Sequence, residues 1–230
     1  MEAPSRLARE LFVCKRMGVA RVELCSRLDL DGLTPHPARV RLARQIWGGS
    51  PGLVALLRPR AGDFHYSRQE LRRMHRHLDL LAAAGADAVA LGLVDKGRLD
   101  LKPLTRLVAH ARGLGLHVAF HRAFDALDQP LATLDELASL GVARVLSSGA
   151  AWGSGQRAWQ GLARLAAFQE RSAGRLELVV AGGVEAALVS RESSRLGRRP
   201  GSLGWHAYSS VRRRGQLQPH LLQDLLDAAR

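Results

Sequence analysis

Lysine and cysteine are scarce in this 230-residue chain. Its two cysteines, Cys14 and Cys25, cannot build a disulfide framework, and no Cys-x-x-Cys supplies a diagnostic metal spacing. No apolar run approaches the ~20 residues of a membrane span, and no signal peptide opens the chain, so a reducing cytosol is the expected compartment and no membrane partner is expected. No Gly-x-Gly-x-x-Gly follows any strand candidate, which weighs against an open dinucleotide-binding sheet. The only lysines are Lys15, Lys96 and Lys102, so the formal net charge of +13 is carried by arginine. Arginines scattered over many segments read as a solvated surface, whereas a nucleic-acid footprint concentrates on one face and interleaves aromatics. Nucleic acid is therefore the last-ranked partner, and Arg191, Arg195, Arg198, Arg199 and Arg212 to Arg214 are the one local cluster that would serve it.

What the chain does have is globular composition, with 47% hydrophobic and 24% charged residues, enough apolar material to bury a core. Short β-branched runs predict strands at Arg21–Cys25, Leu53–Arg58, Ala88–Gly92, Leu116–His121, Arg144–Ser148, Glu177–Ala181 and Leu203–Ala207. Between them, three-and-four spacing predicts helices at Leu7–Met17, Pro35–Trp47, Ser67–Ala84, Leu101–Arg112, Gln129–Leu140, Gln156–Arg171, Val184–Leu196 and Pro219–Ala229. Eight helices in a βα alternation over this length predict a single TIM (β/α)8-barrel domain spanning residues 1–230. The first strand is expected to be missing or irregular, because residues 1–6 hold no β-former run and include Pro4. Open strand edges beside such a gap invite an irregular plug, another subunit or instability.

In such barrels chemistry sits at the C-terminal strand ends. Glu23 and Cys25 are two apart on a strand and share a face, aimed inward if Val22 and Leu24 pack outward. Cys25 reads either as a small buried hydrophobe or as a soft ligand, and Glu23 either as the ion-pair partner of an interior arginine such as Arg58 or as a functional carboxylate. Arg58 and Arg60 follow the Leu53–Arg58 strand, and His121, Arg122 and Asp125 end the Leu116–His121 strand. His206 lies on the last strand; His121 and His206 are open to roles as ligand, acid/base group or structural polar residue. His75 and His77, mid-helix and two apart, read as surface. Gly182-Gly183 after the Glu177–Ala181 strand reads as a phosphate cradle or as a tight turn.

Taken in order, the blocks Arg21-Val22-Glu23-Leu24-Cys25-Ser26, Gly32-Leu33-Thr34-Pro35, Arg58-Pro59-Arg60-Ala61-Gly62-Asp63-Phe64, Phe120-His121-Arg122-Ala123-Phe124-Asp125 and Arg144-Val145-Leu146-Ser147-Ser148-Gly149 resemble the CutC copper-homeostasis family. The resemblance runs from about Gly18 to Ser209. It implies a cytosolic TIM barrel, often oligomeric, with Cu(I) bound at the barrel mouth by Cys25, aided by His206 or His121. The family's first-strand cysteine, proposed to share copper with the one in Glu-Leu-Cys, falls on Pro4 when counted back from Cys25, and Cys14 does not replace it. Ala61 stands where the family usually has glycine, and Val180-Ala181-Gly182-Gly183 stands where it usually has Met-Pro-Gly-Gly-Gly. These departures imply a divergent member or a misassigned N-terminus. The residues also allow an enzyme for a small anionic, possibly phosphorylated, substrate. There Glu23, His121 and Asp125 are the catalytic candidates, and Arg58, Arg60, Arg122, Gly182 and Gly183 the anion-binding ones.

Overall fold

In the computed structural model, residues 4–172, 174–196 and 203–230 are described. Helix and strand alternate as α1 (Pro4–Arg16), β1 (Val22–Leu24), α2 (Pro37–Trp47), β2 (Leu53–Leu56), α3 (Arg68–Ala83), β3 (Ala88–Leu91), α4 (Leu101–Gly113) and β4 (His117–Phe120). They continue as α5 (Pro130–Leu140), β5 (Arg144–Ser147), α6 (Leu162–Ser172), β6 (Glu177–Val180), α7 (Ala186–Glu192), β7 (Leu203–Trp205) and α8 (Pro219–Ala228). The fold is of the TIM (β/α)8-barrel class with an irregular start. Pro4 to Arg6, where a first strand was sought, are already helical, and proline's missing N–H costs nothing in a first helical turn. Contacts divide the chain into two compact units, one running to Asp95 and taking in Leu99–Ala119, the other comprising Lys96–Arg98 and Phe120–Arg230.

In the first unit β1, β2 and β3 are parallel, with Glu23 beside Val54 and Val54 beside Ala88. Leu53-Val54-Ala55-Leu56 and Ala88-Val89-Ala90-Leu91 are buried along their whole length, as strands covered on both faces must be. Asp87 accepts the N–H groups of Gly52 and Leu53, each at 2.8 Å, and pairs with Arg44 of α2 at 2.6 Å, which locks the start of β2 to the neighbouring connection. Beyond β1, Ser26 bridges Leu33 and returns the chain toward α2.

In the second unit β5, β6 and β7 are parallel, and Arg144 pairs with Glu177 at 2.7 Å where β5 and β6 begin. The helix expected over Gln156–Arg171 starts only at Leu162, after a separate single turn at Ala158–Gln160. A Cβ on Gly161 would lie 2.2 Å from the Ser148 carbonyl oxygen, so the backbone there passes too close to the loop after β5 for a continuous helix. The helix expected over Val184–Leu196 shortens to Ala186–Glu192, because Gly182 and Gly183 are left-handed and Glu185 is extended. An antiparallel hairpin pairs Arg212 with Leu217 and Arg213 with Gln216, which the periodicity did not anticipate.

Candidate functional site

The second unit assembles its polar residues around one carboxylate. After β4 the chain makes a single tight turn, Arg122–Ala126, capped by His121, whose Nδ1 accepts the Ala123 N–H at 3.1 Å. A neutral His121 therefore carries its proton on Nε2. The turn brings Arg122 and Asp125 together: Arg122 Nε donates to Asp125 Oδ2 at 2.9 Å. Asp125 is 6% exposed and also accepts the hydroxyls of Ser147 (2.5 Å) and Ser148 (2.8 Å) and the Ser148 N–H (3.1 Å). Four donors around one buried carboxylate offset the cost of taking the charge out of water. That set of donors ties Asp125 to Arg122 and to the end of β5.

Arg122 is held from a second side by Ser148 Oγ, to which Nη2 donates at 3.1 Å, and its guanidinium lies 5.3 Å from the centre of the Trp152 ring. Its third nitrogen, Nη1, lies 3.4 Å from the point a Cβ on Gly182 would occupy. Gly182 and Gly183 have φ of 92° and 79°, and a Cβ on Gly183 would come 2.9 Å from Cδ of Arg157. Two arginines thus flank successive glycines whose bare backbone is open to close approach. His206 continues the ladder, its N–H donating to the Val180 carbonyl at 2.8 Å. In the sequence Ser147 and Ser148 entered only through the Arg144–Gly149 block at a strand end, Trp152 carried no signal, and Arg157 fell within the helix expected over Gln156–Arg171.

In the first unit the other candidates hold loops. Arg58 is 3% exposed and donates through Nη1 to the carbonyls of Leu30, Asp31 and Gly32 at 3.0 to 3.3 Å and through Nη2 to Gly62 at 2.9 Å. Its guanidinium lies 5.3 Å from the Phe64 ring centre. Arg58 therefore serves carbonyl oxygens, and the ion pair with half-buried Glu23 does not form. Arg60 donates to Glu70 at 2.8 Å and to Asp63 at 2.5 Å, and the guanidinium's hydrogen bond holds the Asp63 carboxyl below the usual carboxylate range. Burial pushes the nearby Tyr66 hydroxyl up to about 12. Cys25 forms no disulfide and is half-buried just after β1, and a Cβ on Gly32 would sit 3.7 Å from its Sγ. No group of three or more His, Cys, Asp or Glu side chains able to hold a metal ion occurs among the described residues.

Comparison with known proteins matches residues 8–199 to the model of the CutC family. Curated proteins named as CutC family proteins include one from Vibrio cholerae, 39% identical over 171 residues covering 74% of this chain and 65% of that protein. Another, from Caulobacter vibrioides, is 37% identical over 190 residues, 81% of this chain and 74% of that one. The chain thus spans just under two thirds of the Vibrio relative's length. Among solved structures, a Streptococcus agalactiae CutC, named for copper homeostasis, superposes with a TM-score of 0.73 at 28% identity, covering 81% of this chain and 88% of that one. A ribulose-bisphosphate carboxylase from Pyrococcus horikoshii reaches a TM-score of 0.68 over all of this chain and 56% of its own, at 16% identity, which is a likeness of fold alone.

Proposed function

The chain belongs to the CutC family, and from the geometry around Arg122 we propose that its second unit binds a small anion, a carboxylate or a phosphate, there. One observation carries this reading. A buried, saturated Asp125 and Ser148 hold the Arg122 guanidinium from two sides while its Nη1 is directed toward Gly182. A guanidinium prepositioned in this way gives up less rotamer freedom on binding than a free side chain does, and it matches the planar fork an oxyanion requires. If the bound anion is also a substrate, His121 is this unit's acid/base candidate and Glu23 that of the first unit. Titration of the chain with inorganic phosphate tests the reading. Arg122→Ala is expected to weaken binding at least tenfold, about 1.4 kcal/mol; equal affinity in the wild type and the variant would overturn it.

Copper handling is the second reading, favoured by the half-buried Cys25 thiol beside Gly32 and by the name of the Streptococcus relative. Here Cu(I) is cargo, and Cys25 is the soft donor, with His206 or His121 as helpers. A thiolate must be ionised to bind, so affinity falls as pH falls. A Cu(I) titration against a competing chelator, reducing and oxygen-free, is expected to show binding that Cys25→Ser abolishes; weak binding equal in both proteins removes copper from the account. Two cysteines without a disulfide suit a reducing cytosol. The single neighbour that β1 has among the described strands suits a homo-oligomer, which light scattering measures.

A further inference from the structure

We propose that the cavity beside Gly183 seats the hydroxylated body of a phosphorylated polyol or sugar whose phosphate lies over Gly182-Gly183, an inference that rests on the anion reading of Arg122. The second unit contains a cavity of about 480 Å³, in the range of small-ligand sites. Gly183 and Arg157 form part of its wall and join it to the Arg122 arrangement, because Arg157 packs on Gly183 and Arg122 on the preceding Gly182. The rest of the wall supplies Glu185, Asp224, Ser209, Ser210 and Arg213, over an apolar floor that includes Val211 and Leu225.

That chemistry separates ligand classes. A bare phosphate needs the arginines but is repelled by the two carboxylates, Glu185 and Asp224. A neutral sugar suits the carboxylates and serine hydroxyls but gives the arginines nothing. A nucleotide base calls for an aromatic face, and among the described residues no aromatic side chain lines this cavity. A molecule with a phosphate at one end and hydroxyls at the other satisfies both sets: phosphate to Arg122 and Arg157, hydroxyls to Glu185, Asp224 and the serines.

The test titrates the full chain with ribose 5-phosphate, glucose 6-phosphate and glycerol 3-phosphate, with inorganic phosphate and free ribose as references. At least one phosphorylated polyol is expected to bind ten or more times tighter than inorganic phosphate, with free ribose weaker than either. Ser209→Ala and Asp224→Asn are expected to remove most of that advantage, Ser209→Ala leaving the affinity for inorganic phosphate unchanged and Asp224→Asn not weakening it, and melting curves verify that both variants fold. The inference is overturned if no phosphorylated polyol outbinds inorganic phosphate, or if the advantage survives both substitutions. Should inorganic phosphate bind Arg122→Ala as it binds the wild type, the reading of Arg122 falls. Should phosphate depend on Arg122 while the polyol gains nothing, only the cavity assignment falls.

Discussion

Arg122 and Asp125 are three residues apart, and the tight turn after β4 alone suffices to pair them. The two serines that complete the arrangement come from 22 and 23 residues further along the chain, so their contribution depends on how β5 is registered. Removing the carboxylate leaves a guanidinium and three donors around a dry hole. Asp125→Ala is therefore expected to cost about 3–5 kcal/mol of stability, read by urea unfolding, and to weaken phosphate binding along with it. Asp125→Asn keeps one acceptor oxygen and is expected to cost less. A loss below about 1 kcal/mol in Asp125→Ala would mean that Asp125 is not holding Arg122 and the serines as described. The Phe-His-Arg-Ala-Phe-Asp block was legible as a candidate site from the sequence. Its partners were not, because nothing local distinguishes Ser148 or Arg157 from other loop polars.

Helices and strands emerge where the apolar spacing is unambiguous, and they depart from it where backbones crowd, as at Gly161. α3 illustrates both behaviours. Its start is written locally in a capping box, Ser67 accepting from the Glu70 N–H and Glu70 from that of Ser67. Its histidines are not surface ornaments: His75 Nδ1 lies 2.8 Å from His110 Nδ1 on α4, whose Nε2 is 2.9 Å from Asp79. With Asp79 accepting from His110 Nε2–H, the neutral pair needs His75 to carry its proton on Nδ1. Burial, followed by the neighbouring His110, holds His75 below the usual histidine value of 6.5, and burial with Arg73 and Arg76 does the same for His77. A histidine depressed in the fold disfavours folding once it must charge. Its stability is whole above about pH 6.5 and declines as pH falls below that value toward the folded pKa. The melting temperature is expected to drop between about pH 7.5 and pH 5.5, and by less in His75→Gln; an identical drop in that variant would acquit the clasp. Asp63 and Glu70, both held below the usual carboxylate range by hydrogen bonds, respond only in stronger acid.

At the scale of the whole molecule, much of the arginine excess is engaged. Arg44, Arg60, Arg122 and Arg144 brace buried or half-buried carboxylates, Arg171 and Arg175 share Asp135, and Arg191 and Arg195 flank the buried Glu192. Of the cluster that would have served nucleic acid, Arg198 and Arg199 lie outside the described residues. The chain passes from one compact unit to the other between Ala119 and Phe120, inside β4, and also on either side of Lys96–Arg98. A strand cannot be half ordered at no cost, so the chain is expected to unfold as one domain, in a single calorimetric transition whose van't Hoff and calorimetric enthalpies agree. Two resolved transitions would show that each unit folds by itself.

The order of βα elements, the irregular start, the strand ends where polar residues gather and the likeness to CutC all follow from the sequence itself, because periodicity, turn glycines and contiguous motifs are local properties of a chain. Which of those polar residues act together was decided by tertiary structure. Parallel register set Ser147 and Ser148 on Asp125, close backbone passage fixed Gly182 beside Arg122, and Arg58 was drawn onto carbonyl oxygens instead of Glu23. The physical reason is burial: a charge removed from water takes whichever partners the packing brings within hydrogen-bond reach, and no one-dimensional pattern records that choice.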